Sequence, residues 1–177
     1  PNGALALSAI DDNPISDGAV AIAADSVSLT AKEVSLYTEN SWLYEDFECE
    51  KISSFSDKAY MPEITSSDGG TFSVKKDGER AVLSPTLNED TARIIYPVSK
   101  MSDIGATALI ANIKTNGWGL STEEGGLSLY SRYTALNQTY KMSISNGSVL
   151  IKKIMPTETE IIAKSEVLSF DEDLYHE

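Results

Sequence analysis

The sequence is poor in the residues from which most catalytic and metal centres are built. It contains one cysteine, Cys49, and one histidine, His176, among 177 residues. A single cysteine excludes a disulfide within the chain and a thiolate metal cluster, and a single histidine excludes a zinc site with several histidine ligands. Because one histidine at the far end of the chain is also a poor basis for a catalytic triad, we expect no histidine-based catalysis.

Basic residues are scarce relative to acidic ones. Lysine and arginine total 14 against 27 aspartate and glutamate, which gives a formal net charge of −13. Such a field repels polyanions, so neither nucleic acid nor an anionic membrane surface is expected as a partner. No apolar run approaches the roughly 18 residues that a membrane helix needs, and membrane insertion is therefore not expected. The first residue is Pro1 and not methionine, which indicates a processed, trimmed or partial polypeptide.

Short segments that alternate apolar with small polar residues run along the whole chain, separated by turn residues. Valine, isoleucine, leucine, tyrosine and threonine fill these segments, and turns about 8 to 12 residues apart are typical of β-sandwiches and barrels. The predicted strands are residues 4–10, 19–24, 26–37, 42–50, 71–75, 80–83, 92–96, 107–114, 126–133, 140–145, 149–154 and 160–164. The sequence therefore predicts an all-β, two-sheet antiparallel β-sandwich.

Local signals add three details to this strand prediction. Asp77-Gly78 and Asn146-Gly147 each predict a tight hairpin turn, since both central positions of a type I′ turn need a positive φ. Within residues 26–37 the apolar face changes phase between Leu29 and Val34. An extra residue near 31–33 would cause this change, so we expect a β-bulge there.

The order of three segments carries a family resemblance. Between residues 125 and 165 the sequence contains GGLSLYSRY, then NQTYKMSI, then NGSVLIKK, while YEDFE and GTFSV precede them. This order resembles the opening strands and central hairpins of concanavalin A-like and laminin G-like jelly rolls, including the lectin-like domain of galactocerebrosidase-type glycosidases. The resemblance extends over residues 46–170 and implies a jelly-roll topology.

The first 39 residues resemble a different part of the same fold. DGAVAIAAD followed by residues 27–34 is similar to the closing strands of the jelly roll, which belong at its end. We therefore assign closing strands to residues 1–39 and opening and central strands to residues 40–177. Two interpretations follow: a circularly permuted domain, or a piece of a tandem array that carries the tail of a preceding domain. A third lets residues 1–39 complete the sheet of a neighbouring copy.

The resemblance implies a non-catalytic carbohydrate-binding module of a larger protein that is secreted or on the cell surface. Its expected partners are a polysaccharide or glycan and other domains of the same polypeptide. The alternatives are a structural or adhesive sandwich that assembles with copies or neighbours, and a glycosidase or lyase. Glycoside hydrolysis needs two facing carboxylates, and adjacent ones such as Glu123 and Glu124 point to opposite faces of a strand.

Sugar binding needs an aromatic face for the pyranose ring and polar groups for its hydroxyls. Alternation in residues 126–133 places Ser128, Tyr130 and Arg132 on one face of the strand. The other face carries Leu127, Leu129 and Tyr133, which we expect to be buried together with Met142. Lys141 follows on the next strand and Trp118 on a nearby loop, whereas Trp42 and Tyr44 are expected to plug the start of the sandwich. The predicted carbohydrate-binding residues are Trp118, Tyr130, Arg132 and Lys141, on an exposed face.

No cofactor is expected apart from a candidate calcium site. Asp46 and Glu48 are two residues apart and so face the same way on a strand. Asp25 would approach them if the closing strands pack beside the opening one. Because calcium takes oxygen ligands from a few carboxylates and carbonyls, Asp25, Asp46 and Glu48 are the predicted ligands.

Overall fold

A computed structural model of the chain describes residues 7–15, 18–25, 27–37, 42–48, 63–66, 72–85, 91–96, 108–118, 126–145, 148–165 and 170–177. These residues form twelve strands and no helix, so the described segments include no helix that could cross a membrane. The strands are β1 (Ala19–Asp25), β2 (Leu29–Tyr37), β3 (Trp42–Glu45), β4 (Glu63–Ser66), β5 (Phe72–Asp77), β6 (Arg80–Pro85), β7 (Thr91–Tyr96), β8 (Ala108–Thr115), β9 (Gly126–Ala135), β10 (Gln138–Ser145), β11 (Ser148–Met155) and β12 (Glu158–Lys164).

The strands form two antiparallel sheets, as predicted. The larger sheet has seven strands in the order β12-β11-β10-β9-β1-β7-β4. In the five-stranded sheet, β8 lies along one edge of β2, and β3 and β6 pair with successive parts of its other edge. Strand β5 completes this sheet beyond β6. The predicted all-β sandwich is confirmed.

One apolar core joins the two sheets. It takes alternate residues of the central strands, and its members, each less than a tenth exposed, include Val20, Ile22, Leu29, Val34, Leu36, Phe47, Phe72, Leu83, Ile113 and Leu127. Full burial of one such side chain is worth roughly 1.5–3 kcal/mol relative to exposure. Successive residues of these strands therefore point alternately into this core and away from it.

The N-terminal strands are part of the same two sheets as the rest of the chain. Strand β1 lies between β7 and β9, where Ile22 is in register with Ile94 on one side and Leu129 on the other. Strand β2 pairs with β3, and Leu36 is in register with Leu43. Both strands that resemble closing strands thus pair with segments of this same chain.

The predicted bulge in β2 is confirmed, because the register against β8 shifts between Ala31 and Glu33. The predicted β5–β6 hairpin is also confirmed, but its turn lies one residue later. Asp77 pairs with Arg80, and of the two turn residues between them Gly78 has a positive φ, at 65°. A positive φ at the first central position alone fits a type II′ turn better than the predicted type I′.

Other sequence predictions differ in detail. Strand β4 was not predicted, and residues 7–10 of the predicted strand 4–10 form no strand. The first three residues of that strand, the turn Asn146-Gly147 and the end of the predicted strand 42–50 lie outside the described residues.

Instead of a strand, the segment before β1 forms a polar latch across β10 and β11. The Tyr140 hydroxyl donates to Asp11 Oδ2 and accepts a hydrogen bond from the Ile15 amide at 3.1 Å. Lys153 Nζ lies 2.9 Å from the same Asp11 oxygen and also donates to the Asn13 carbonyl oxygen. These bonds tie the N-terminal segment to the seven-stranded sheet.

The latch predicts a specific loss of stability in acid. Hydrogen bonds from Tyr140 and then Lys153 lower the pKa of Asp11 from 3.8 to about 2. A carboxyl with a depressed pKa stabilises the fold fully above its unfolded value, and this stabilisation is lost as the pH falls through the window from 3.8 to about 2. We expect the difference in Tm between the wild type and Asp11→Asn to be constant near neutral pH and to shrink inside that window. A difference that does not change with pH would contradict the latch.

Candidate functional site

The structure brings Tyr130 and Lys141 together as the sequence predicts. Both lie on the outer face of the seven-stranded sheet, because Tyr130 is in register with Ala21 and with Lys141, while the neighbouring Ile22 belongs to the core. The Lys141 ammonium lies 5.7 Å from the centroid of the Tyr130 ring. Tyr130, however, is only 5% exposed, packed with Ile95 and alanines of β1, so its predicted exposure is wrong.

A bulge in β9 explains a second error. Ala21 is in register with Tyr130 but Ala19 with Tyr133, so three residues of β9 span what two residues span in β1. Arg132, half-buried, carries the irregularity with a φ of 52°. The extra residue turns Tyr133 to the face of Tyr130, where the two ring centroids lie 5.6 Å apart. Tyr133 was predicted to lie in the core with Leu127 and Leu129.

The apolar set itself is placed as predicted apart from Tyr133. Leu127 is buried in the core, and Leu129 is half-buried against it. Met142 is in register with Leu129 and is also half-buried, which is less than the full burial that the sequence predicts. The alternation of β9 is therefore valid up to the bulge and fails after it.

The polar groups beside Tyr130 are enclosed. Burial lowers the pKa of Lys141 and raises the pKa of Tyr130. Together with Asp25 and Ser143, Lys141 lines a cavity of about 10 Å³ between β1, β9 and β10. Such a cavity holds one water molecule and no pyranose ring. This part of the predicted patch is therefore closed to a sugar in the observed conformation.

Trp118 is occupied by the C-terminal segment of the chain. Its ring stacks on Phe170 with 4.7 Å between centroids, and His176 packs edge-on against it at 5.6 Å. Reciprocal backbone hydrogen bonds of 2.8 Å between Ile113 and His176 fix this segment along the edge of β8. Trp118 is 4% exposed and belongs to the core, so the prediction that it faces a ligand is wrong.

The predicted calcium ligands are not brought together. Asp25 lies on the outer face of the seven-stranded sheet, beside Lys141. Glu48 instead accepts the Ala81 amide of β6 at 3.1 Å, and Asp46 accepts the Glu48 amide at 3.1 Å. No group of three or more potential metal-ligating side chains occurs in the described part of the chain. The calcium prediction is wrong because Asp25 lies on the seven-stranded sheet, whereas Asp46 and Glu48 bond to backbone amides beside the other sheet.

A larger cleft of about 210 Å³ opens on the inner side of the seven-stranded sheet, where Leu129, Met142 and Ile151 line it together with Leu109 of β8. Its walls are mostly apolar and its volume falls below the roughly 300–1,000 Å³ usual for ligand pockets. The Tyr140 side chain also lines the cleft, but its hydroxyl donates a hydrogen bond to Asp11 in the latch. The cleft therefore offers little to a polar ligand.

An exposed aromatic surface lies on the other sheet. We call it the outer platform; it consists of Glu33, Tyr37, Tyr44, Ile110 and Asn112. Tyr37 and Tyr44 are 41% and 45% exposed and Ile110 is 39% exposed. Of the seven large apolar side chains that are exposed among the described residues, these three share one face, which distinguishes the platform from scattered surface residues.

Register explains why these residues meet. Ser35 of β2 lies opposite Tyr44 of β3 on one side and opposite Ile110 of β8 on the other. Directly opposed residues have Cβ atoms about 4.5–5.5 Å apart. The small Ser35 side chain therefore forms a floor between two larger ones, and Tyr37 lies two residues further along the same strand face.

A carboxylate is held in place at the edge of the platform. The Tyr44 hydroxyl donates to Glu33 Oε2 at 3.0 Å, and Asn112 Nδ2 donates to Glu33 Oε1 at 2.6 Å. The hydrogen bond to Glu33 is the main cause of a raised pKa at Tyr44. Tyr44, Glu33 and Asn112 thus form a connected polar row beside exposed aromatic rings.

Sequence reasoning missed this surface, although the signal was present. The predicted bulge in β2 places Val34 and Leu36 in the core, and alternation then sends Glu33, Ser35 and Tyr37 outward. Tyr44 was predicted to plug the sandwich, which its exposure contradicts. The side chain of Trp42, predicted to do the same, lies outside the described residues.

Comparison with known proteins gives no relative from which a function could be transferred: no protein-family model, curated protein or solved structure matches the chain.

Proposed function

We propose that this chain is a non-catalytic carbohydrate-binding module of a larger secreted protein, and that its sugar site is the outer platform. The observation that supports this most is the exposure of Tyr37 and Tyr44 beside a fixed Glu33 carboxylate. Aromatic rings receive the apolar face of a pyranose, and planar polar groups receive its hydroxyls. The platform supplies both on one sheet face.

The polar row retains capacity for a ligand. An ionised carboxylate has about four lone-pair positions, and the described hydrogen bonds from Tyr44 and Asn112 use two at Glu33. Sugar hydroxyls could donate to the remaining positions. Because Glu33 is already held by two donors, little side-chain entropy is lost when a ligand binds, which favours affinity.

Removing either exposed tyrosine should weaken glycan binding without unfolding the protein. Loss of one contact between an aromatic ring and a sugar should cost about 1–2 kcal/mol of binding free energy. Tyr37→Ala and Tyr44→Ala should therefore each raise Kd roughly fivefold to thirtyfold. After a glycan array has identified a ligand, affinity electrophoresis measures the change. Ile161→Ala is the matched control, since Ile161 is an exposed apolar residue of the other sheet.

Three outcomes would contradict the proposal. If the wild type binds no glycan on the array, the module is not a lectin. If binding survives in both tyrosine variants but fails in Ile161→Ala, the sugar site is on the other sheet. If the platform variants instead abolish a dimer detected by analytical ultracentrifugation, the surface serves self-assembly, which is the adhesive alternative.

A further inference from the structure

The outer platform has a charge as well as a shape. Glu33 lies at its edge, and Asp46 and Arg80 are close enough to influence the Tyr44 hydroxyl electrostatically. Of these three described groups two are carboxylates and one is a guanidinium, so together they carry one negative charge. The net charge of the whole chain, −13, adds to the same sign.

Two lysines of the same sheet contact the C-terminal segment. Lys32 and Lys114 lie 4.8 and 5.0 Å from the ring centroid of Tyr175. Lys114 also forms an ion pair with Asp77 at 3.2 Å, and the Tyr175 hydroxyl donates to the same carboxylate at 2.6 Å. The C-terminal segment thus engages both cations, because the Tyr175 ring lies close to both ammonium groups and Asp77 pairs with Lys114.

We infer that the outer platform selects uncharged glycans and rejects uronic-acid and sulfated ones. This inference rests on the proposed function and adds the ligand class to it. A neutral sugar donates hydroxyl hydrogens to Glu33 while its apolar face covers Tyr44. An anionic group in the same place meets an unneutralised carboxylate and is repelled.

The size of the effect follows from Coulomb's law. Two like charges about 4 Å apart at a solvent-exposed surface repel each other enough to weaken binding roughly fivefold, and partial burial under a ligand increases the factor. The repulsion is screened by salt, with a Debye length of about 10 Å at 0.1 M ionic strength. Selectivity should therefore be greatest in dilute buffer.

The experiment uses pairs of oligosaccharides that share a backbone and differ at C6, such as β-1,4-linked mannan and mannuronan fragments of equal length. Titration calorimetry in dilute buffer should give the wild type at least a fivefold preference for neutral members. Glu33→Gln removes the charge but keeps an acceptor oxygen for Asn112, and its amide nitrogen can donate to the Tyr44 hydroxyl oxygen. We expect this variant to lose most of the preference, by binding the uronate more tightly, and Glu158→Gln on the remote strand β12 to keep it.

The failures are distinguishable. If the wild type binds a neutral glycan and its uronate equally in dilute buffer, the inference is overturned and the proposed function stands. If Glu33→Gln keeps the full preference, the selectivity comes from another part of the molecule and the inference is again overturned. If no neutral or acidic member binds at all, the proposed function itself fails.

Discussion

Replacing Gly18 by alanine should destabilise the protein more than a surface substitution of this size normally does. Gly18 has a φ of 129°, and a Cβ atom there would lie 2.2 Å from the Arg132 carbonyl carbon and 2.6 Å from the Tyr133 amide nitrogen. The backbone conformation alone costs about 1–3 kcal/mol, and the clash adds about 1–3 kcal/mol because backbone atoms cannot step aside as a side chain can. Urea unfolding should therefore show a loss of roughly 2–6 kcal/mol.

Gly78→Ala is the matched control for this experiment. Gly78 also has a positive φ, 65°, but a Cβ atom there would meet nothing within 4 Å. Its cost should be limited to the left-handed backbone, about 1–2 kcal/mol. The difference between the variants isolates the contact between Gly18 and the β9 bulge. Equal losses in the two variants would show that β1 and the bulge do not approach each other this closely.

The two bulges mark what the sequence could and could not reveal about the fold. The bulge of β2 leaves a local trace, because apolar residues on both sides of it change phase between Leu29 and Val34. The bulge of β9 leaves a misleading one: Arg132 and Tyr133 continue a regular alternation, and a non-glycine residue with a positive φ has no signature of its own. The sequence feature that accompanies this bulge is Gly18. A glycine is needed there because its backbone approaches Arg132 and Tyr133, which are far away in the sequence.

The exposure of the predicted binding residues was wrong for a related reason. Alternation assigns residues to faces, but whether a face is open depends on what covers it. Tyr130 and Lys141 do share the predicted outer face, yet Tyr130 is buried there and Lys141 is half-buried. Glu33 and Tyr37 point outward by the same alternation within β2, whereas Tyr44, which was predicted to plug the sandwich, is exposed beside them. Faces were thus predictable from periodicity, whereas their exposure depended on packing between distant segments.

Trp118→Ala distinguishes the sugar site predicted from the sequence from the outer platform that we propose. A sugar-contacting tryptophan would lose binding and keep its fold. A core tryptophan stacked on Phe170 should instead cost about 3–5 kcal/mol, the usual penalty for deleting a large buried aromatic side chain. We expect the thermal unfolding of Trp118→Ala to shift strongly downward, while glycan binding at a temperature where it is still folded equals that of the wild type.

Two control variants separate the packing of the Trp118 ring from other effects of substitution in this part of the protein. Trp118→Phe retains a ring for Phe170 and removes an indole N–H that meets no acceptor in the described part of the chain, so it should cost much less than alanine. Leu174→Ala alters an exposed residue of the same C-terminal segment and should stay within about 0.5 kcal/mol of the wild type. A Trp118→Ala protein of normal stability that no longer binds glycan would return the site to Trp118 and remove it from the outer platform. If the C-terminal segment packs on this ring as part of the core, the wild type and Leu174→Ala should be the most stable proteins. Trp118→Phe should be less stable, and Trp118→Ala the least stable.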